Sequence, residues 1–219
     1  MDMTIATNLI DICAVSMLLL SVLSMTTLRM APLIRLFSYQ SLALGLMAAI
    51  VAYSSDNPHI YIMCVLTIGI KTILIPRILY YVLERVEVNN EAKLAVGVPG
   101  SLILSGALII LSYFITEPLL ATLETMERNC IAFSMSVVLI GLLTMVSRRK
   151  AISEVIGLLM MENGLFLGAL AVSHGMPLIV EVAAFFDVLV ALIIIGVFIF
   201  RINRSFHSMD VTNLRRLKE

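Results

Sequence analysis

Seven long apolar stretches run through this chain, and each can cross a membrane as a helix. A helix rises about 1.5 Å per residue, so about 20 apolar residues cover the hydrocarbon core. Lipid offers no hydrogen-bond partner to the backbone, and each stretch therefore satisfies its own N–H and C=O groups as an α-helix. The predicted spans are residues 4–28, 36–54, 60–83, 94–116, 129–147, 151–173 and 178–200.

Composition agrees with this pattern. Of the 219 residues, 60% are hydrophobic and 14% are charged, whereas soluble domains average about 45–50% apolar and about 25% charged residues. The sequence predicts an all-α integral membrane protein with about seven transmembrane helices. Residues 1–219 form a single membrane domain, with a four-helix part at 1–128 and a three-helix part at 129–219. No basic residue precedes the first stretch, which we interpret as a retained helix and not a secretory signal.

The basic residues indicate how the chain is oriented in the membrane. All 15 Lys and Arg residues except Arg128 and Lys71 fall on the side where the odd-numbered helices end. Cytoplasmic loops of membrane proteins carry an excess of Lys and Arg. We therefore expect the N-terminus outside and the C-terminus in the cytoplasm.

Three ionisable residues lie near the middle of predicted spans, namely Lys71 in the third, Glu162 in the sixth and Asp187 in the seventh. A charge at this depth costs about 2.5–3.5 kcal/mol on insertion scales. Burial disfavours the charged form of acids and amines, which favours proton exchange near neutral pH. These residues therefore predict a proton path, with Glu181 as an entry or exit group near the outer surface.

Two alternatives to this path stay open at the level of sequence. Lys71 can pair with an acid as a salt bridge that only holds helices together, and Glu181 can extend to the membrane interface. Glu162 precedes the turn at 174–177 by about 13 residues and Asp187 follows it by about 11. At about 1.5 Å per residue, the two carboxyl groups lie at similar depth. Whether they face each other does not follow from the spacing.

Small residues and a proline mark helix contacts and a bend. Gly164 and Gly168 form a small-xxx-small pair, which we interpret as a site of helix packing. Pro76 follows Lys71 by five residues and removes the backbone hydrogen bond to the carbonyl of Thr72. A bend in the third helix or a bound water is expected beside the lysine.

No residue pattern predicts a cofactor or catalytic chemistry in this chain. No C-x-x-C pair, phosphate-binding loop or nucleophile motif occurs. We expect no metal ligands and no catalytic residues, and the basic tail is predicted to contact anionic lipid or a neighbouring subunit and no nucleic acid. The scattered cysteines and histidines are Cys13, Cys64, Cys130, His59, His174 and His207.

Several segments resemble known membrane proteins. Residues 156–164, IGLLMMENG, resemble the second helix of NuoK, the small three-helix subunit of respiratory complex I. They resemble more closely the membrane protein named hydrogenase-4 component E (HyfE), and so do the segments 180–187 and 210–218. In the front half, residues 40–42 and 71–76 resemble that family too. The hydrogenase resemblance covers most of the chain, and the NuoK resemblance covers only about 129–219.

The resemblance implies a non-catalytic subunit of a complex I-related, group 4 [NiFe] hydrogenase or formate hydrogenlyase. Such a complex lies in the cytoplasmic (inner) membrane of a bacterium or archaeon. Its implied partners are antiporter-like membrane subunits and a peripheral hydrogenase arm, which hold the Fe–S clusters and the NiFe centre. The implied role is a contribution to a proton, or sodium, path through Glu162, Asp187 and Lys71, without redox chemistry in this chain.

One departure from the NuoK pattern is visible. The glutamate of that pattern falls at Leu159 here, and Glu162 lies about one helical turn later. Asp187 falls near the second NuoK carboxylate. NuoK-like chains also occur in the multisubunit Na⁺/H⁺ (Mrp) antiporters. The alternatives are thus an antiporter subunit without a redox arm and a purely structural scaffold of the membrane arm.

Overall fold

The computed structural model describes residues 3–55, 61, 64–85, 97–119, 125–148 and 150–173. These ranges contain helices and no β-strand, which confirms the prediction of an all-α protein. The elements are α1 (Met3–Thr26), α2 (Met30–Ser55), a π-helix (Thr67–Leu74), α3 (Ile75–Arg85), α4 (Gly97–Leu119), α5 (Thr125–Ser147) and α6 (Ala151–Ser173).

Within the described ranges, six helical segments are long and apolar enough to cross a membrane. They are Ala6–Thr26, Met30–Tyr53, Cys64–Glu84, Gly97–Pro118, Arg128–Ser147 and Ala151–Ala171. They correspond to the first six predicted spans. The seventh predicted span, 178–200, lies outside the described residues, together with Glu181, Asp187 and the tail. The total of seven spans stays a prediction.

The second helix begins earlier than its apolar stretch indicates. We predict a start at residue 36, whereas α2 begins at Met30 and includes Pro32 and Arg35. Proline is tolerated in the first turn of a helix, where the backbone N–H has no intrahelical partner. The Arg35 Nε donates to the Tyr80 hydroxyl at 3.2 Å. A basic residue in the first turns of a helix is therefore compatible with a continuous span.

A close helix contact joins α5 and α6 through glycines. A Cβ placed at Gly141 would lie 2.7 Å from the backbone nitrogen of Met161, and one placed at Gly157 would lie 2.9 Å from the Gly141 carbonyl oxygen. Gly164 and Gly168 lie along the same contact, where the Ser134 hydroxyl donates to the Gly164 carbonyl at 2.7 Å. Small residues let backbones approach closely inside membranes, where no hydrophobic force drives helices together.

Burial distinguishes a central helix from a peripheral one. In the described structure, 56% of the α6 span is buried, compared with 17% of the α4 span. Three apolar clusters surround α6 and its neighbours, and α6 contributes to two of them. Representative buried members are Phe37, Leu79 and Ile156 in the first cluster, Met17, Met47 and Leu167 in the second, and Met25, Val137 and Ile140 in the third.

Four helix ends meet at one face of the bundle. The Arg148 Nη2, just after α5, donates to the Ser24 carbonyl near the end of α1 at 2.5 Å. The Ser153 hydroxyl at the start of α6 donates to the Met30 sulfur at the start of α2, at 3.3 Å. Helices α1 and α5 therefore end where α2 and α6 begin, as expected when successive helices cross the membrane in opposite directions. That this face is the cytoplasmic one stays a prediction.

Candidate functional site

Lys71 and Glu162 meet in the interior of the bundle. The Lys71 Nζ lies 3.4 Å from the Glu162 Oε2, and the two side chains are 1% and 9% exposed. The sequence leaves the partner of Lys71 open, and the structure supplies an acid from the sixth span. The contact joins the third and sixth spans at the depth where charge is most costly.

A π-helix carries the lysine. Lys71 is a buried residue of the segment Thr67–Leu74, and the backbone N–H of Ile75 donates to the Ile70 carbonyl at its end. In a π-helix the hydrogen bonds join residues five apart, and such segments are rare and frequent at functional sites. The sequence predicts a disturbance here from Pro76, but it does not predict an eight-residue π segment.

The carbonyl that Pro76 releases has a partner on another helix. Proline has no backbone N–H to donate, and the Ser38 hydroxyl donates to the Thr72 carbonyl at 2.8 Å. A side chain of α2 thus replaces the missing backbone donor. This bond anchors the lysine-bearing segment to α2 next to the ion pair.

A chain of uncharged polar side chains extends from the lysine. The Lys71 Nζ donates to the Asn163 Oδ1 at 3.2 Å. The Asn163 Nδ2 donates to the Ser41 hydroxyl at 3.0 Å and to the Gln40 Oε1 at 3.4 Å. The Gln40 Nε2 in turn donates to the Ser21 hydroxyl at 2.7 Å. We call Asn163, Gln40, Ser41 and Ser21 the amide chain, and every member is at most 1% exposed.

The polar contacts continue along α1 to the end of the bundle. The Ser24 hydroxyl donates to the Ser21 carbonyl at 2.6 Å, and the Ser24 carbonyl accepts from the Arg148 Nη2. Arg148 is 1% exposed, and its Nε and Nη1 have no hydrogen-bond partner among the described residues. Burial lowers the pKa of Arg148 from its ordinary value to about 10, so the side chain stays charged at neutral pH.

The sequence identifies the two charges of this site but not the amide chain. Gln40 and Asn163 appear in the family resemblance, yet they carry no charge, and the cost of burying a charge does not point to them. What could have identified them in the sequence is a carboxamide inside an apolar span. A buried amide without hydrogen-bond partners costs about 2–7 kcal/mol, so each such side chain is expected to have a partner. The sequence places Arg148 in a turn, and its burial follows from packing that the sequence does not reveal.

The opposite end of the bundle contains a separate polar region. A cavity of about 120 Å³ lies between α4 and α5. Nearby, the Cys130 thiol donates to the Asp11 carboxylate at 3.9 Å. The residues lining the cavity are Tyr113, Thr116, Glu117, Arg128, Asn129 and Ala132. It lies at the predicted outer surface and contains neither Lys71 nor Glu162.

No metal site is formed by the part of the chain that the structure describes. Among those residues, no group of three or more His, Cys, Asp or Glu side chains could hold a metal ion. That the Fe–S clusters and the NiFe centre lie in partner subunits stays a prediction. Glu181 and Asp187 lie outside the described residues, so their relation to the ion pair also stays a prediction.

Known proteins resemble this chain over most of its length. It is 29% identical over 212 residues to the uncharacterized protein Rv0085 of Mycobacterium tuberculosis, and the match covers 96% of each chain. It is 28% identical over 148 residues to hydrogenase-4 component E of Escherichia coli and of Shigella flexneri, with 68% of each chain covered. The chain is therefore similar in sequence to hydrogenase-4 component E over two thirds of its length.

No protein-family model matches the chain, and no solved structure is significantly similar to it. What the site can do therefore follows from its own geometry. That geometry is a buried ion pair between two spans, with a hydrogen-bonded connection to a third and a fourth helix.

Proposed function

We propose that this chain is a non-catalytic membrane subunit of a complex I-related hydrogenase and contributes to a proton, or sodium, path across the membrane. The similarity to hydrogenase-4 component E supports the complex. Six segments able to span a membrane support the location. The observation that carries the path is the ion pair of Lys71 and Glu162, buried between the third and sixth spans.

The pair stores one proton that two sites can hold. Moving the proton from the Lys71 ammonium to the Glu162 carboxylate gives a neutral amine and a neutral acid, without changing the total charge. Adding a proton from outside the pair leaves a net charge in a medium where charge is expensive. The pair therefore favours transfer of its one proton over binding of a second proton. Asp187 and Glu181, on the seventh predicted span, continue this path.

The energy for transport comes from elsewhere in the complex. The partners would be antiporter-like membrane subunits and a peripheral hydrogenase arm, which holds the Fe–S clusters and the NiFe centre. Redox chemistry in that arm would supply the driving energy, and the buried pair would respond to a change in nearby charge, because its protonation depends on nearby charge. This chain supplies exchange sites and performs no redox step.

The test uses the intact complex, purified in mild detergent and reconstituted in vesicles. Coupled ion movement is compared for the wild type, Glu162→Gln and Asp187→Asn, with Glu154→Gln as the matched control. Glu154 lies in the first turn of the same helix, and its side chain is exposed. We expect the two buried-acid variants to assemble and to lose coupled transport by about 100-fold or more, the usual effect of removing a proton-transfer group.

Two results would change the proposal. Variants of Glu162 and Asp187 that assemble and transport like the wild type would make the carboxylates structural, and the scaffold alternative would replace the path. Iron and nickel are counted in the same preparation. If neither metal copurifies with an active transporter, the chain is a subunit of a cation/proton antiporter without a redox arm.

A further inference from the structure

The lysine dictates how the neighbouring amide must point. A Lys ammonium has three donors and no acceptor, so the Asn163 side chain presents its oxygen to Lys71, at 3.2 Å. Its nitrogen then faces the opposite direction, toward Ser41 and Gln40 on α2. The charged state of one residue thereby sets the orientation of a side chain on another helix.

The same logic extends one step further. The Asn163 Nδ2 is a donor, so Gln40 presents its oxygen to it, at 3.4 Å. The Gln40 nitrogen then donates to the Ser21 hydroxyl on α1, at 2.7 Å. Ser21 also donates to the Met17 carbonyl of its own helix, at 2.8 Å. Every bond of the amide chain thus runs in one direction, away from the ammonium.

We propose that Asn163 and Gln40 are positioning residues that hold the Lys71 ammonium beside Glu162 and connect its charge to α1. This inference rests on the proposed ion path, because the position of Lys71 affects transport only if the pair exchanges protons. When the Lys71 proton moves to the Glu162 carboxylate, the neutral amine gains a lone pair that accepts hydrogen bonds. Both amides can then rotate, so their orientation follows the location of the proton.

The chemistry of the chain predicts which substitutions it accepts. A neutral carboxyl group at position 40, the form that burial favours, accepts from Asn163 through its carbonyl oxygen and donates to Ser21 through its hydroxyl. A thioether of similar length makes neither bond with comparable strength. A second ammonium offers only donors and faces the donor side of Asn163. If only the size of the side chain at position 40 mattered, the carboxyl and the thioether would have the same effect on transport.

The experiment measures coupled ion transport by the reconstituted complex with Gln40→Glu, Gln40→Met and Gln40→Lys. We expect Gln40→Glu to keep transport within about threefold of the wild type, and Gln40→Met to lose about tenfold, as the loss of a buried hydrogen bond predicts. Gln40→Lys is expected to lose at least as much as Gln40→Met. The control is Thr144→Val, whose buried hydroxyl donates within its own helix to the Ile140 carbonyl at 2.8 Å.

The proposal is overturned if assembled Gln40→Met transports like the wild type, or if Gln40→Glu is as impaired as Gln40→Met. If Gln40→Met fails to assemble, Ser21→Ala decides, since it removes the acceptor of Gln40 with a smaller change in volume. Unchanged transport in Ser21→Ala overturns the proposal. Glu162→Gln in the same vesicles separates the two hypotheses. If Glu162→Gln loses transport while Gln40→Met and Ser21→Ala do not, the positioning role is rejected and the ion path is kept.

Discussion

Helices α4 and α6 satisfy their buried polar groups in different ways. On α4, the hydroxyls of Ser101, Ser105, Ser112 and Thr116 donate to carbonyls four residues earlier in the same helix, at 2.6–2.9 Å. On α6, Glu162 and Asn163 reach the lysine of the third span, and Asn163 also reaches α2.

The difference shows which polar residues specify a membrane fold. A hydroxyl can return its hydrogen to its own helix and leaves neighbouring helices free to slide or rotate. A carboxamide, a carboxylate or an ammonium is too rich in donors or acceptors to be satisfied in this way. Such groups require particular partners at particular depths. The helix that carries them is accordingly the more buried one, at 56% against 17% of the span.

The largest effect should come from dividing the ion pair. Lys71→Met leaves the Glu162 carboxylate buried without its ammonium, and we expect the free energy of unfolding to fall by about 3–5 kcal/mol. Replacing both residues in Lys71→Met/Glu162→Leu should recover most of the stability but none of the coupled transport. Thermal unfolding in detergent measures the first effect and vesicle assays the second.

On α4 the corresponding change should do little. Ser105→Ala removes a buried hydroxyl that donates to the Ser101 carbonyl at 2.7 Å, and that carbonyl remains in its helical ladder. The contrast between α4 and α6 would be contradicted if Lys71→Met/Glu162→Leu were as unstable as Lys71→Met. It would also be contradicted if Ser105→Ala lowered the free energy of unfolding by a similar amount.

An intermediate effect is expected from filling a glycine contact. A Cβ at Gly157 would lie 2.6 Å from the Met145 Cγ and 2.9 Å from the Gly141 carbonyl oxygen. Gly157→Ala should therefore separate α5 from α6 and lower the free energy of unfolding by about 1–3 kcal/mol. Gly106→Ala on α4 is the control, because nothing lies within 4 Å of its added Cβ. That change should stabilise the helix by about 0.5–1 kcal/mol. Equal shifts in melting temperature for the two variants would contradict this expectation.

The smallest effect is expected at Arg148. Arg148→Met removes one hydrogen bond to the Ser24 carbonyl and also removes a buried cation, so stability should change by no more than about 1 kcal/mol in either direction. Burial places the folded-state pKa at about 10, below the ordinary value for an arginine. Stability from this group therefore rises with pH only between those two values, and both states hold the proton below them. The difference between variant and wild type should be the same at pH 6 and pH 8, and a difference that varies between them would assign another titrating partner to Arg148.

The sequence was most informative where length and charge decide the structure. Apolar length located the six described spans, and the cost of burial singled out Lys71 and Glu162. The rotation of each helix about its axis was out of reach, because nearly every face of these helices is apolar. For that reason the partner of Lys71 and the amide chain could not be derived. Arg35 falls before the predicted start of the second span, although it lies inside α2.

The glycine contact between α5 and α6 has a mechanical consequence. At Gly141 and Gly157 the two backbones approach closely, with little side-chain material between them to be compressed. We therefore expect the two helices to move together when either is displaced. Leu142 and Val146 on α5 are 47% and 76% exposed. A partner that displaces this exposed face of α5 is therefore expected to move α6, and Glu162 with it, without touching the ion pair.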